Sequence, residues 1–205
     1  MIEVEGRKLI VIERFDRTVD AQGTVTRVHQ EDLCQALGTP PKNKYQEDGG
    51  PSLRNVAAVL MSVTERSALE RLLRVVTLNV ALGNADAHGK NFSLLHLEDL
   101  SLRLAPLYDL MSTLAYRAEG VTEHMSMYVD SAQRIDRVTS DRLVAEATAW
   151  GLARSHAIAI VTDLLGRLPE AVRRAREEID GLPAALLPAY EAQMERLLQS
   201  LPAVQ

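Results

Sequence analysis

Residues 68–82 constrain the fold of this chain more than any other stretch. Leu69, Leu72, Leu73, Val76 and Val80 recur at three- and four-residue spacing, and Val75, Leu78 and Leu82 make a further side apolar. A helix that is apolar on more than one side has to run through a core. Just before it, Leu53, Val56, Ala57 and Leu60 share one face of an amphipathic helix. At 205 residues the chain is long enough to bury such a helix in one substantial core. Gly83 ends the apolar pattern, and "GNADAHGKN" follows, with an aspartate, a histidine, a lysine and two asparagines in nine positions.

The pattern elsewhere is mixed. "EVEG" and "RKLIVIERF" are expected to pair around Glu5-Gly6, and "TVTRV" at 24–28 alternates β-branched with polar residues. "QEDLCQALG" reads as a short helix stopped by Gly38 and Pro40-Pro41, followed by a polar loop, "TPPKNKYQEDGG", of a length that is usually functional or mobile. "FSLLHL" and "LSLRLA" flank Glu98-Asp99 as a β-hairpin closed by Pro106. Helices are expected over 141–150 and 155–166, then one opened by Pro169 and closed by Gly181, and a last one carrying Leu187, Tyr190, Met194, Leu197 and Leu201. The expected class is mainly α within α+β, with β structure confined to the N-terminus and the 92–105 hairpin.

Composition narrows the function classes. With 46% hydrophobic and 25% charged residues the chain is that of an ordinary globular protein, and no apolar run approaches a membrane span. Glu3, Glu5, Arg7 and Lys8 interrupt any hydrophobic leader in the opening residues, and Cys34 has no second cysteine, so a reducing cytoplasmic setting is expected. A net charge of −5 weighs against nucleic acid as the direct partner. The local basic run at Arg173, Arg174 and Arg176 reads as a solvated helix face. His29, His96, His124 and His156 lack zinc-ligand spacing.

The chemistry concentrates in the polar stretch. Asp86 precedes Asn91 by five residues, and Asp109 follows one hairpin later in "APLYDL". That order matches phosphoryl transfer from ATP in the protein-kinase arrangement. One aspartate orients the acceptor hydroxyl and takes its proton, while an amide oxygen and a second carboxylate hold Mg²⁺ against the phosphates. Lys90 adds positive charge where the transferring group is most negative, and His88 can face the nucleotide. Taken singly these residues also have structural readings: Asn84 or Asp86 as a cap, Lys90 as a solvated cation, His88 as a satisfied loop histidine.

"GNADAHGKNFSLL" followed by "LAPLYDLMST" resembles the catalytic and metal-binding segments of the HipA-like toxin kinases, Ser/Thr kinases of type II toxin-antitoxin modules. "VIERFDR", "HQEDLCQALG" and "KYQEDGGPSL" are similar to the family's segments around the interlobe hinge and the start of its helical lobe. The resemblance implies Asp86 as catalytic base, Asn91 and Asp109 as Mg²⁺ ligands, and ATP as phosphate donor. It also implies that the backbone of Glu13 to Phe15 meets the adenine edge; Phe15 can equally be a core aromatic. It further implies a helical C-lobe, with residues 1–28 as a remnant β segment and hinge and 29–205 as the helical lobe. The implied partners are a helix-turn-helix DNA-binding antitoxin and a protein substrate, an aminoacyl-tRNA synthetase or another translation factor. Nucleic acid is then met only through the antitoxin.

One departure qualifies the resemblance. The family carries, upstream of the hinge, a small lobe with a phosphate-covering loop and a strand lysine. The dozen residues before "ERFD" hold no glycine-rich loop, and Lys8 is too close to the hinge to substitute. The expected function is therefore a Ser/Thr kinase lobe that is inactive alone, either a fragment or one half of a split enzyme completed by another chain, with self-association or a partner at the N-terminal strands. The alternative is a non-catalytic antitoxin- or partner-binding module. A phosphohydrolase built on Asp86, His88 and Asp109 is weaker, because such sites gather several His/Asp ligands.

Overall fold

A computed structural model describes residues 2–9, 11–179 and 184–203. Strand β1 (Ile2–Val4) runs antiparallel to β2 (Arg7–Leu9), as the sequence suggests. Glu5 and Gly6 take φ of 51° and 74°, the left-handed pair that suits a two-residue hairpin. A second hairpin pairs β3 (Arg17–Val19) with β4 (Val25–Arg27). At its base Asp16 is buried beneath two guanidiniums, from Arg14 at 2.7 Å and Arg17 at 2.6 Å, and its carbonyl accepts the Val28 N–H.

The helix expected over 30–38 is half strand. β5 (His29–Asp32) pairs with a later strand, and only Leu33–Ala36 forms helix α1. Asp32 marks the change, because its carboxylate accepts the Gln35 N–H at 2.9 Å and caps α1 while its backbone still belongs to the sheet. Cys34 is buried on α1, as expected.

Helices α2 (Leu53–Val63) and α3 (Ser67–Ala81) follow the periodicity closely. Leu53, Val56, Ala57 and Leu60 are buried on α2. Leu69, Leu72, Leu73, Val76 and Val80 of α3 are buried together with Thr77, Asn79 and Ala81, so α3 is enclosed from several directions. Strand β6 (Ser93–His96) lies between β5 and β7 (Leu102–Leu104), which gives the expected hairpin and a third strand on its other edge.

Residues 124–134 form a hairpin that the sequence reading did not anticipate, β8 (His124–Val129) with β9 (Ala132–Arg134). Its face carries Met125, Met127 and Val129 into the core. The fold is therefore mixed α+β, richer in β structure than expected, with α3 packed among α2, α4 (Ser140–Ala149), α5 (Arg154–Glu178) and α6 (Leu186–Gln199).

Helix α5 also departs from expectation. Pro169 lies inside it instead of opening a new helix. Val161, Leu165, Leu168 and Val172 continue one apolar stripe across the proline at spacings of four, three and four, and that burial holds the helix together. The stop expected at Gly181 and the side chain of Lys8 lie outside what the structure describes. The basic run is a solvated face, as expected, with Arg173 paired to Glu170 at 2.6 Å and Glu177 at 2.5 Å. Among the described residues, no helix is long and apolar enough to cross a membrane.

Candidate active site

The end of α3 sets the site. Gly83 turns the chain with φ 77°, and a Cβ there would meet Leu114 and the Ser112 hydroxyl at 3.1 Å, so the turn needs both the conformation and the space of glycine. Polar groups from distant segments then clamp residues 83–85. The Gly83 carbonyl accepts the Thr113 hydroxyl at 3.0 Å, which in turn accepts the Ala85 N–H at 2.9 Å. From the other side the Ser126 N–H of β8 donates to the Ala85 carbonyl at 2.9 Å. Asn84, buried, donates to the Asn79 side chain of α3 at 2.7 Å.

Asp86 emerges from this clamp half-exposed. Its N–H donates to Asn84 Oδ1 at 3.1 Å, and one carboxylate oxygen accepts the Ser126 hydroxyl at 3.1 Å. The other oxygen lies 4.0 Å from His88 Nε2. His88 begins a tight turn over Gly89–Asn91, its N–H donating to Asn91 Oδ1 at 3.0 Å. Gly89 is needed in that turn because a Cβ would fall 2.9 Å from both Cys34 Sγ and Pro51.

Asn91 and Asp109, eighteen residues apart in sequence, are brought into contact: Asn91 Nδ2 donates to Asp109 Oδ2 at 2.7 Å. The β6–β7 hairpin returns the chain to make this meeting. Tyr108 locks it, since its hydroxyl donates to the Lys90 carbonyl and lies 2.5 Å from the Ser93 hydroxyl. Asp109 itself takes φ 55°, a left-handed conformation uncommon for a residue with a side chain and found preferentially at functional sites.

The remaining expected residues are placed less closely. Lys90 is half-buried in the same turn. The Phe15 ring sits 5.8 Å from that of Tyr108, so the segment before β3 borders the loop that carries Asp109, and Phe15 is half-buried instead of a core aromatic. Glu13 is exposed, and among the described residues its side chain has no hydrogen-bond or ion-pair partner.

Several residues escaped the sequence reading. Lys44 holds its ammonium 4.7 Å from the centre of the Tyr45 ring, and that ring meets His88 edge-on at 5.8 Å. Partial burial pulls the Lys44 pKa down, but the Tyr45 phenol and the carboxylates of Asp86 and Asp109 outweigh it, and the ammonium is held above its ordinary value. Burial, followed by the charge of Lys44, pushes His88 below the usual histidine value against the opposing pull of Asp86 and Asp109. His88 Nδ1 is buried without a partner among the described residues. The long polar loop was the one signal that could have pointed to Lys44; Ser126 and Thr113 had none.

The donor set is one of hard oxygens. Among the described residues no three His, Cys, Asp or Glu side chains gather to hold a metal. Asn91 Oδ1 keeps a lone pair beyond the one that accepts the His88 N–H, and Asp109 keeps one carboxylate oxygen free of hydrogen bonds among the described residues. Two protein oxygens with the rest left to phosphate and water is the way Mg²⁺ is ordinarily held, so the residues fit that ion.

Comparison with known proteins gives the geometry its context. The model of the HipA-like C-terminal domain matches residues 1–172. The chain belongs to that family. It is 40% identical over 179 residues to the "Putative kinase Y4mE" of Sinorhizobium fredii, covering 86% of this chain and 42% of the relative. It is 30% identical over 179 residues to the serine/threonine-protein kinase toxin HipA of Shewanella oneidensis, covering 80% of this chain and 40% of the relative. In three dimensions it is similar to a chain in the Shewanella oneidensis complex of HipA, HipB and operator DNA, with TM-score 0.81, 26% identity, and coverage of 94% of this chain and 49% of that one. The chain thus spans less than half the length of these HipA-like relatives.

Proposed function

We propose that the chain forms the catalytic lobe of a HipA-like serine/threonine kinase, which transfers the γ-phosphate of ATP to a protein hydroxyl. The observation that carries this reading is the Asn91–Asp109 contact at 2.7 Å, one turn of chain beyond Asp86. Asn91 and Asp109 would hold Mg²⁺, whose positive charge would offset that of the phosphates. Asp86 is oriented by Ser126 and keeps its outer oxygen toward the acceptor, where it takes the hydroxyl proton as transfer proceeds. Lys90 stands beside the transferring phosphoryl group, and His88 lines the nucleotide side as a neutral imidazole. The backbone of Glu13 to Phe15, whose Phe15 ring lies beside that of Tyr108, meets the adenine edge.

In this reading residues 1–28 are the hinge-side β segment and 29–205 the helical lobe. A phosphate-binding lobe has to close over it, supplied by another segment or chain. The substrate is an aminoacyl-tRNA synthetase or other translation factor in the cytoplasm, and the partner is a helix-turn-helix antitoxin. The relative in complex with HipB and operator DNA supports that partner class.

The test is ATP-dependent phosphate transfer to a synthetase by the chain combined with a HipA-like N-lobe. Asp86→Asn is expected to lower the rate by about 10²–10⁴-fold without loss of folding. No transfer by the combined protein, or transfer unchanged in Asp86→Asn, would overturn it. If calorimetry also showed no ATP binding with Mg²⁺ present, the non-catalytic partner-binding module would take its place.

A further inference from the structure

A cavity of about 390 Å³ lies between the α2–α3 junction and the β6–β7 hairpin, well away from Asp86. Arg71, which lines it, precedes Gly83 by twelve residues, about 18 Å along a helix at 1.5 Å per residue. Arg103, on β7, lines it from the other side. Among the described residues neither guanidinium has a hydrogen bond or an ion pair, whereas Arg14, Arg17, Arg134, Arg142 and Arg173 all do.

Two like charges left facing one cavity are unfavourable in the absence of an anion. Burial and then the charge of Arg103 push the Arg71 pKa down, the sign expected of a desolvated cation with a cationic neighbour. Glu65 lines the rim, but among the described residues its carboxylate pairs with neither arginine and accepts only the Ser67 hydroxyl, at 3.5 Å. The Thr64 and Ser101 hydroxyls already donate, to the Leu60 carbonyl and to Asp99, both at 2.6 Å. The free side-chain donors among the described residues are therefore the two guanidinium forks.

Val63, Ala68, Leu102 and Leu104 give the cavity apolar walls, and its volume lies in the range of small organic ligands. We propose that this cavity binds a small phosphate monoester, its phosphate held between Arg71 and Arg103 and its organic group against Val63, Ala68, Leu102 and Leu104. A carboxylate has two oxygens and saturates one guanidinium, whereas a phosphate monoester has three terminal oxygens to serve two. The apolar walls favour an ester over the bare ion. The assignment is independent of the phosphoryl-transfer reading.

Calorimetry with phenyl phosphate tests it, with inorganic phosphate, benzoate and benzyl alcohol as comparison probes. Phenyl phosphate is expected to bind more tightly than the other three. Arg71→Met, which keeps the aliphatic stem, and Arg103→Ala, on an exposed side chain, should each weaken it about tenfold or more, the value of one charge-assisted pair. Thermal melts would check that both variants fold. Binding that is absent, unchanged in the two variants, or matched by benzoate or benzyl alcohol would overturn the proposal.

Discussion

The Ser126 hydroxyl reaches Asp86 from a hairpin forty residues downstream, and it is the one side-chain hydroxyl that donates to that carboxylate among the described residues. If Asp86 is the proposed base, Ser126 is its positioning group, and removing it should lower turnover in a variant that still folds. Ser126→Ala is expected to lower the transfer rate of the completed enzyme about tenfold, because a freed carboxylate is misoriented for proton transfer. The stability loss should stay within about 0.5–1.5 kcal/mol, the usual net value of one hydrogen bond, measured by urea unfolding. Unchanged turnover of the folded variant would mark Ser126 as purely structural. Asp16 has the opposite character. Its bidentate bond to Arg14, reinforced by Arg17, holds its carboxyl well below the usual range against the effect of burial. A carboxyl depressed in the folded state contributes stability above its unfolded pKa, and that contribution is lost as pH falls through the folded value. Asp16→Asn should therefore melt below the parent at pH 7, and the gap should close progressively once pH drops below about 4. A gap independent of pH would show that the ion pairs contribute nothing.

At the scale of elements, α5 offers the sharpest contrast between what the sequence implied and what formed. A proline at the first position of a helix is nearly free of cost, but inside one it removes the hydrogen bond to the carbonyl four residues back, here Leu165, at about 3 kcal/mol relative to alanine. Pro169 is exposed, so Pro169→Ala removes no core contact. It should raise unfolding free energy by about 1–3 kcal/mol with a gain in helical circular dichroism; a neutral result would favour two separate helices. The sequence was most legible where periodicity and burial coincide, as in α2, α3 and the β6–β7 hairpin. It was least legible where a tertiary partner decides: β5 became a strand because β6 offered Leu94 and Leu95 as neighbours for Glu31 and Gln30, overriding a helical local pattern. The β8–β9 hairpin was missed because its apolar residues are short-range alternations with few β-branched members. The candidate site divides in the same way. Asp86, Asn91 and Asp109 were visible as a spaced set, and the fold brings the last two together. Lys44, Thr113 and Ser126 reach the loop only through the folded chain, and no local spacing encodes that.

Over the whole molecule, apolar exposure is uneven. Val4, Leu9, Val11, Ile12, Val19 and Val25 are all exposed within the first 25 residues, with Ile12 at 78% and Val11 at 63%. They sit on or between two-stranded hairpins, which among the described residues also leave strand edges unpaired. Scattered exposed aliphatic residues are normal, but six within the first 25 residues are expected to serve as an interaction surface. Unpaired backbone edges beside it add a template for strand addition. The isolated chain is therefore expected to self-associate through this end, unless a partner lobe covers it. Sedimentation velocity over a concentration series checks this: the weight-average mass should rise with concentration, and Val11→Asp with Ile12→Asp should return it toward 22.6 kDa. Both substitutions lie at exposed positions outside any strand, so their effect on folding should stay within about 0.5 kcal/mol. Adding a HipA-like N-lobe should suppress the association in the same way, because it would occupy the surface that the copies otherwise share. A parent chain that stays monodisperse and monomeric at all concentrations would show that this apolar end is tolerated in water, and the need for a covering lobe would then rest on the phosphoryl-transfer chemistry alone.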